Sequence, residues 1–233
     1  MLIHLFLLIL KEECAKMLNY INGSDNMENF TEEEILLLND PEISTWYASN
    51  VKGANKEAHK NIVLKSKNVE WCYKFARDVK GIDISELAKV VIDSKDPYFN
   101  YVFARDVIGA NVILHEQVLL EYNNPDYCLE FALNVIGATI ELHEDVIIND
   151  LMNYINVNTK EADKSIERCL NFAKSVKGAN REKLKDAASK LPRYNEFKLE
   201  FDKLYIIPNL DNNSDVVIPD RILDKILRLR KQV

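Results

Sequence analysis

The stretch Phe103-Ala104-Arg105-Asp106-Val107-Ile108-Gly109-Ala110-Asn111 decides the fold, because its pattern returns at a regular interval along the chain. Its glycine begins a tripeptide that occurs five times. The first four glycines follow one another every 28 residues, and the fifth comes after 41, which is one period plus 13 residues. This period is typical of helical repeats, in which each unit buries its apolar face by stacking on its neighbours. The five tripeptides are Gly53-Ala54-Asn55, Gly81-Ile82-Asp83, Gly109-Ala110-Asn111, Gly137-Ala138-Thr139 and Gly178-Ala179-Asn180.

Each repeat contains the pattern of two helices joined by a short turn. In three repeats the first helix opens with Asp or Asn followed by proline, a favourable N-cap and first helical residue. Counted back from the glycine, valine at position −2, alanine at −5 and Tyr or Phe at −6 recur on one helix face. We therefore expect Phe75, Phe103 and Phe131 to lie in the core. We expect the glycine to end the first helix and the Asn, Asp or Thr two residues later to cap the second.

These patterns predict an all-α protein, a right-handed α-solenoid of five 28-residue helical hairpins with N- and C-terminal capping helices. Residues 1–39 are expected to form an N-terminal helical cap or extension. Residues 40–191 form the repeat domain with an insertion at 152–164, and residues 192–233 form the C-terminal cap, with helices at 194–205 and 220–233. The apolar run Met1–Leu10 is too short to span a membrane and has no basic residue before it. It is predicted to be a buried helix or a poorly ordered extension, and Met27 is an alternative start.

Histidine and cysteine recur at fixed positions, but their spacing does not favour a metal centre. His59, His115 and His143 share position +6, where the other two repeats have leucine. Cys72, Cys128 and Cys169 share position −9, at separations too long for a disulfide. We expect packed, hydrogen-bonded histidines and small buried thiols. The chain has no phosphate-binding loop, zinc-protease motif or nucleophile elbow, and it is predicted to be a non-enzyme without cofactor or metal.

Charge separates the third and fourth repeats from the others. Residues 96–150 contain ten acids and one base, whereas 40–95 and 152–191 carry more bases than acids. Position −1 changes from lysine in repeats 1, 2 and 5 to isoleucine in repeats 3 and 4. Acids beside exposed isoleucines suit a basic protein partner, and the equal alternative is a charge that serves only solubility, with scattered apolar surface residues. The predicted protein-binding residues, on helix surfaces taken to face solvent, are Glu116, Glu141, Glu144, Asp145, Ile108, Ile136 and Trp46.

Trp46 is the least defined of these residues. It is expected either to be a second exposed contact or to pack under the preceding helix. The net charge of −7 disfavours direct nucleic-acid binding by the whole chain. Anion or nucleic-acid binding through the lysine-rich flanking repeats remains the alternative, together with a role as a cellular adaptor or scaffold.

The units Phe75–Gly81 and Phe103–Asn111 resemble a tandem helical repeat of uncharacterised proteins from bacteriophages and low-GC bacteria. The resemblance covers about residues 40–190, and the unit is similar to, but shorter than, that of HEAT-like α-solenoids. It implies a cytoplasmic, non-catalytic protein-binding function in a bacterium or a phage-infected cell, without membrane association. A small acidic phage protein of this kind resembles an inhibitor of host defence, such as an anti-CRISPR protein acting on a basic, nucleic-acid-handling effector.

Overall fold

The computed structural model describes residues 31–206, and all regular structure in that range is α-helical, without strands. The all-α prediction is confirmed there. The twelve helices of this range are α1 (Glu32–Leu37), α2 (Pro41–Asn50), α3 (Lys56–Ser66), α4 (Val69–Asp78), α5 (Ser85–Asp93), α6 (Pro97–Asp106), α7 (Val112–Tyr122), α8 (Pro125–Asn134), α9 (Ile140–Met152), α10 (Lys160–Ser175), α11 (Arg181–Ala188) and α12 (Tyr194–Ile206). Repeats 1 to 5 correspond to the pairs α2–α3, α4–α5, α6–α7, α8–α9 and α10–α11.

Polar side chains begin the first helix of each repeat. Asp40 accepts hydrogen bonds from the backbone N–H groups of Glu42 and Ile43, and Asp96 and Asn124 act in the same way, each with proline at the first helical turn. Asn68 and Thr159 cap the two helices that lack the proline. The predicted helix starts are confirmed. The helices begin at these residues because each cap accepts a hydrogen bond from a backbone N–H that has no partner within the helix.

The glycine does not end the first helix in the way that the sequence predicted. The helix stops at position −3, the valine at −2 is extended, and in repeat 3 the N–H of Ala110 donates to the carbonyl of Val107. Gly109, with φ +84°, is therefore the third residue of a β-turn, a position that requires positive φ in a type II turn. Position −1 is the second residue of the turn, at its outer corner.

The chain divides into two compact units, Met1–His115 and Glu116–Val233. Within each unit, the first helices of successive repeats contact each other, and so do the second helices. In the N-terminal unit, the first helices α2, α4 and α6 contact one another in sequence, and the second helices α3 and α5 contact each other. In the C-terminal unit, α8 contacts α10, and α9 contacts α11. The boundary between the units falls within α7. Each unit thus has a layer of first helices and a layer of second helices.

The predicted core positions are buried. Phe75, Phe103 and Phe131 have no exposed surface, which confirms their assignment to the core. The aromatic ring at −6 packs on the histidine at +6 in three repeats. The ring centroids are 5.0 Å apart for Tyr47 and His59, 4.7 Å for Phe103 and His115, and 5.0 Å for Phe131 and His143.

The extra residues of repeat 5 lengthen existing elements. The first helix α10 has 16 residues, whereas its counterparts α2, α4, α6 and α8 have ten. Residues 153–159 connect it to α9. The predicted helix at 194–205 is observed as α12 (Tyr194–Ile206). The predictions for residues 1–30 and 207–233 lie outside the described residues.

Candidate functional site

A groove of about 520 Å³ lies on the first-helix layer of the N-terminal unit. The lining residues come from α2, α4 and the turn after α4, and the groove contains both tryptophans of the chain, Trp46 and Trp71. The other lining residues are Glu42, Thr45, Ser49, Asn50, Lys74, Arg77, Asp78 and Lys80. We call this feature the tryptophan groove.

Trp46 was expected either to be an exposed contact or to pack under the preceding helix, and each alternative describes part of its environment. The half-buried indole packs against a small core cluster of Ile35, Ile43 and Tyr47, and it also lines the tryptophan groove. Trp71 is half-buried on the neighbouring helix, where the Nζ atom of Lys74 lies 4.3 Å from the centroid of its ring. Trp71 was not among the predicted site residues. Its signal is the same as that of Trp46, a tryptophan at a repeat position where the other repeats have none.

The guanidinium group in the tryptophan groove is already paired. Arg77 donates through Nε and Nη2 to the two carboxylate oxygens of Asp78, at 2.7 and 2.8 Å, and through Nη1 to the hydroxyl of Tyr73 at 3.2 Å. The hydrogen bonds to Asp78 raise the pKa of Arg77. Tyr73 in turn donates to Asp106 at 2.6 Å. This network orients α4 and α6, and it leaves the lysines as the groove's available cations.

The predicted acidic surface is partly wrong. Glu116 and Glu144 were expected to face solvent, but each is only 2% exposed. Glu141 and Asp145 are exposed, and Asp145 pairs with Lys183 at 2.7 Å. Several other acids of residues 96–150 cap helices or form ion pairs, including Asp126 and Asp150, which both contact Arg168. Part of the predicted acidic surface is therefore used within the fold, while five of the ten acids of residues 96–150 are exposed: Glu121, Asp126, Glu130, Glu141 and Asp145.

Glu116 connects repeats 3 and 4. Its carboxylate accepts hydrogen bonds from the backbone N–H of Thr139 at 2.5 Å, from the Thr139 hydroxyl at 2.8 Å and from Nε2 of His143 at 3.0 Å. Thr139 was predicted to cap α9, but its side chain makes no capping hydrogen bond. Its hydroxyl donates to Glu116 instead, so this carboxylate fixes the turn of the next repeat.

The same contact recurs twice, at the same separation of 23 residues for Glu32 and at 36 residues for Glu144, whose partner lies in the longer repeat 5. Glu32 accepts from the N–H of Asn55 at 2.5 Å and lies 3.3 Å from Nε2 of His59, and Glu144 accepts from the N–H of Asn180 at 2.7 Å. Glu32 precedes His59 by 27 residues, as Glu116 precedes His143. Repeat 2 has Ala88 at the position equivalent to Glu116. This spacing between a glutamate and the histidine of the next repeat is the sequence signal that could have indicated the contact.

The three histidines have different partners, and burial is the largest cause of the lowered pKa of each. For His59 and His143 a nearby glutamate partly opposes this effect. His115 has no such carboxylate: its Nδ1 hydrogen-bonds to Oδ1 of Asn100 at 2.8 Å, and burial lowers its pKa to about 4. Among the described residues, no three His, Cys, Asp or Glu side chains are placed to hold a metal ion.

In the described part of the chain the cysteines, Cys72, Cys128 and Cys169, are buried free thiols, as predicted. Burial raises the pKa of Cys72 to about 11 and that of Cys128 to about 12, and it also raises the pKa of Cys169. At neutral pH all three are protonated thiols, which are poor nucleophiles and poor metal ligands.

The buried His115 is expected to make stability depend on pH. In the unfolded chain a histidine takes up a proton near pH 6.5, but the native His115 does so near pH 4. Relative to acid pH, the folded state with a neutral His115 therefore has its full stability above pH 6.5. This stability is lost as the pH falls towards 4, because the unfolded chain takes up the proton first. The loss amounts to about 1.4 kcal/mol per pH unit, or about 3 kcal/mol in total.

Urea unfolding at a series of pH values measures this dependence. The matched variant is His115→Leu with Asn100→Cys, which reproduces the Cys72 and Leu87 pair of repeat 2. The variant should lose less stability than the wild type over this range. Parallel curves for the two proteins would contradict the assignment.

Comparison with protein-family models, with curated proteins and with solved structures finds no match to this chain. None of the described helices is both long and apolar enough to cross a membrane.

Proposed function

We propose that this chain is a non-catalytic helical-repeat protein that binds a protein partner through the turns of repeats 3 and 4. The supporting observation is the exposure of two isoleucines at position −1, Ile108 at 83% and Ile136 at 95%. They lie at the outer corner of the β-turns, where repeats 1, 2 and 5 have Lys52, Lys80 and Lys177. Because lysine occupies the same turn position in the other repeats, isoleucine is not needed there for folding. Contact with another molecule would explain why an apolar side chain is exposed at this position.

Other apolar side chains accompany each isoleucine within its own compact unit. Ile113 and Leu114 are exposed just after the turn of repeat 3, and Leu133 and Leu142 are exposed around the turn of repeat 4. Apolar groups of this kind lie at the centre of many protein interfaces, surrounded by polar groups. The exposed Glu141 and Asp145 supply polar groups in the same repeat as Ile136.

The finer fold that we propose is a right-handed α-solenoid of five hairpins with capping helices. The 28-residue recurrence of the turns supports it. The separate layers of first and second helices within each compact unit also support it.

Lysine substitution at the two isoleucines tests the proposed function. Ile108→Lys and Ile136→Lys restore the residue that the other repeats carry, so the melting temperature should stay unchanged. A partner captured on the wild-type chain from its native cells, then purified, should bind each variant about tenfold more weakly, as for a side chain worth more than about 1 kcal/mol. The control is Lys177→Ala, which should bind like the wild type. Unchanged affinity of both isoleucine variants would overturn the proposal.

The narrower proposal is an inhibitor of a basic host-defence protein, such as a CRISPR effector. With Glu116 and Glu144 buried, it depends on Glu141 and Asp145. The test is Glu141→Lys with Asp145→Lys, leaving both buried glutamates in place. Slower association and a weaker salt dependence would support a basic partner. If the isoleucine variants lose binding while this variant keeps it at all salt concentrations, the basic partner is excluded and protein binding stands.

A further inference from the structure

We propose that the tryptophan groove binds a short acidic segment of another protein, with an apolar side chain between Trp46 and Trp71 and carboxylates held by Lys74 and Lys80. This site lies on the helix surface of repeats 1 and 2, whereas the proposed function depends on the turns of repeats 3 and 4. The two can be tested independently.

The tryptophans supply the apolar part of the groove. Both indoles are half-buried and line the same space, so each is held by the fold on one side and open to the groove on the other. Trp46 is anchored by its contact with the Ile43 cluster, and Trp71 by its place on α4. Tryptophan held in this way loses little entropy on binding, and it is enriched among the residues that dominate interface energies.

The charges of the groove favour an acidic ligand. Both oxygens of Asp78 are occupied by Arg77, so that pair adds no net charge. Lys74 is 2.7 Å from Glu70, and Lys80 donates to the carbonyl oxygen of Arg77 at 2.8 Å. Each ammonium group has three donors, so both retain donors for a carboxylate.

The balance of charge beside the groove is positive by one. Glu42 in the lining and Glu70 beside Lys74 oppose the two lysines. The ammonium group of Lys56, which donates to the carbonyl oxygen of Lys80 at 2.6 Å, adds a third cation at that end of the groove.

The same charges disfavour a nucleic acid. A phosphate backbone would bring closely spaced negative charges past Glu42, Asp78 and the neighbouring Glu70, and the chain as a whole carries a net charge of −7. A peptide with one or two carboxylates places its charge only where the ammonium groups lie. At the same surface the Ser49 hydroxyl and the Nδ2 group of Asn50 already donate to the carbonyl oxygen of Trp46, so the Oδ1 atom of Asn50 is the acceptor offered to the backbone of such a peptide.

Selection from a library of random-sequence peptides, with the full-length chain as bait, tests the site directly. We expect enrichment of peptides with a large apolar residue next to Asp or Glu. Tryptophan fluorescence then gives the dissociation constant, because both tryptophans of the chain line the groove. A fluorescent single-stranded oligothymidine is titrated in parallel.

Exposed lysines provide the matched variants. Lys80→Glu reverses a charge in the groove and should raise the Kd of the selected peptide about tenfold or more. Lys52→Glu makes the same change at the equivalent position of repeat 1, outside the lining residues, and should change the Kd less than about twofold. Trp71→Ala should weaken binding about thirtyfold, as for a dominant interface residue.

Three outcomes would overturn the inference. The selected peptides bind Trp71→Ala as tightly as the wild type, or the selection enriches basic peptides, or the oligothymidine binds more tightly than any peptide. Equal effects of Lys80→Glu and Lys52→Glu would also exclude the groove as the site. Ile108→Lys should leave peptide binding unchanged, so failure here is distinguishable from failure of the proposed function.

Discussion

Replacing Glu116 with alanine is expected to lower the free energy of unfolding by about 2–3 kcal/mol, because it leaves a buried donor without an acceptor. The substitution removes a buried carboxylate that accepts three hydrogen bonds from Thr139 and His143. The Nε2 group of the fully buried His143 then loses its acceptor, whereas the backbone N–H of Thr139, which is an exposed residue, loses a carboxylate that water can partly replace. Because an unpaired buried donor costs far more than an exposed one, the effect should exceed that of any surface acid. Chemical denaturation followed by circular dichroism measures it.

The control for this prediction is Glu141→Ala, which removes an exposed carboxylate from the neighbouring repeat. It should change the free energy of unfolding by less than about 0.5 kcal/mol. The two variants remove the same chemical group, so their difference measures burial. A Glu116→Ala protein as stable as Glu141→Ala would show that the connection between repeats 3 and 4 is not formed.

Replacing Phe103 with alanine is expected to cost about 3–5 kcal/mol. The ring has no exposed surface, and it stacks on His115 with a centroid separation of 4.7 Å and an interplanar angle of 27°. Its removal leaves a cavity between the two helices of repeat 3, which the packed helices cannot fill by relaxing. Thermal and urea unfolding give the change in stability.

Tyr98→Ala on the same helix is the matched control, because more than half of the Tyr98 side chain is exposed. Its loss should cost less than about 0.5 kcal/mol. If the two aromatic substitutions have equal effects, position −6 is not the centre of the repeat core.

Most of the local structure of residues 31–206 could be predicted from the sequence, because it follows rules that act over a few residues. An Asp or Asn before proline starts a helix since it accepts backbone donors that have no other partner. The recurrence of valine, alanine and an aromatic residue identifies one buried face, and Phe103 lies there as expected. The turn at Gly109 was predicted, but its type was not. A glycine with positive φ fits both a helix terminus and a type II turn.

The binding surface was harder to predict because exposure of a charged residue depends on what packs against it. Glu116 and Glu141 are both acids near the start of a second helix, and one is buried while the other is exposed. The difference arises from the next repeat: the turn at Thr139 presents an N–H and a hydroxyl that only Glu116 can reach. A rule that reads each helix separately places both residues in solvent.

The sequence alone therefore determined that this protein is built from repeated helices, where they begin, and which aromatic rings form the core. These properties depend on backbone hydrogen bonding and on periodicity, which are local. The tertiary structure decided which charges remain available for binding. Packing of neighbouring repeats buried Glu116 and Glu144 against the turns of the following repeats, and it left Ile136 exposed at the corner of its turn. Packing also brought Trp46 and Trp71, 25 residues apart in the chain, into one groove, because the first helices of successive repeats lie side by side.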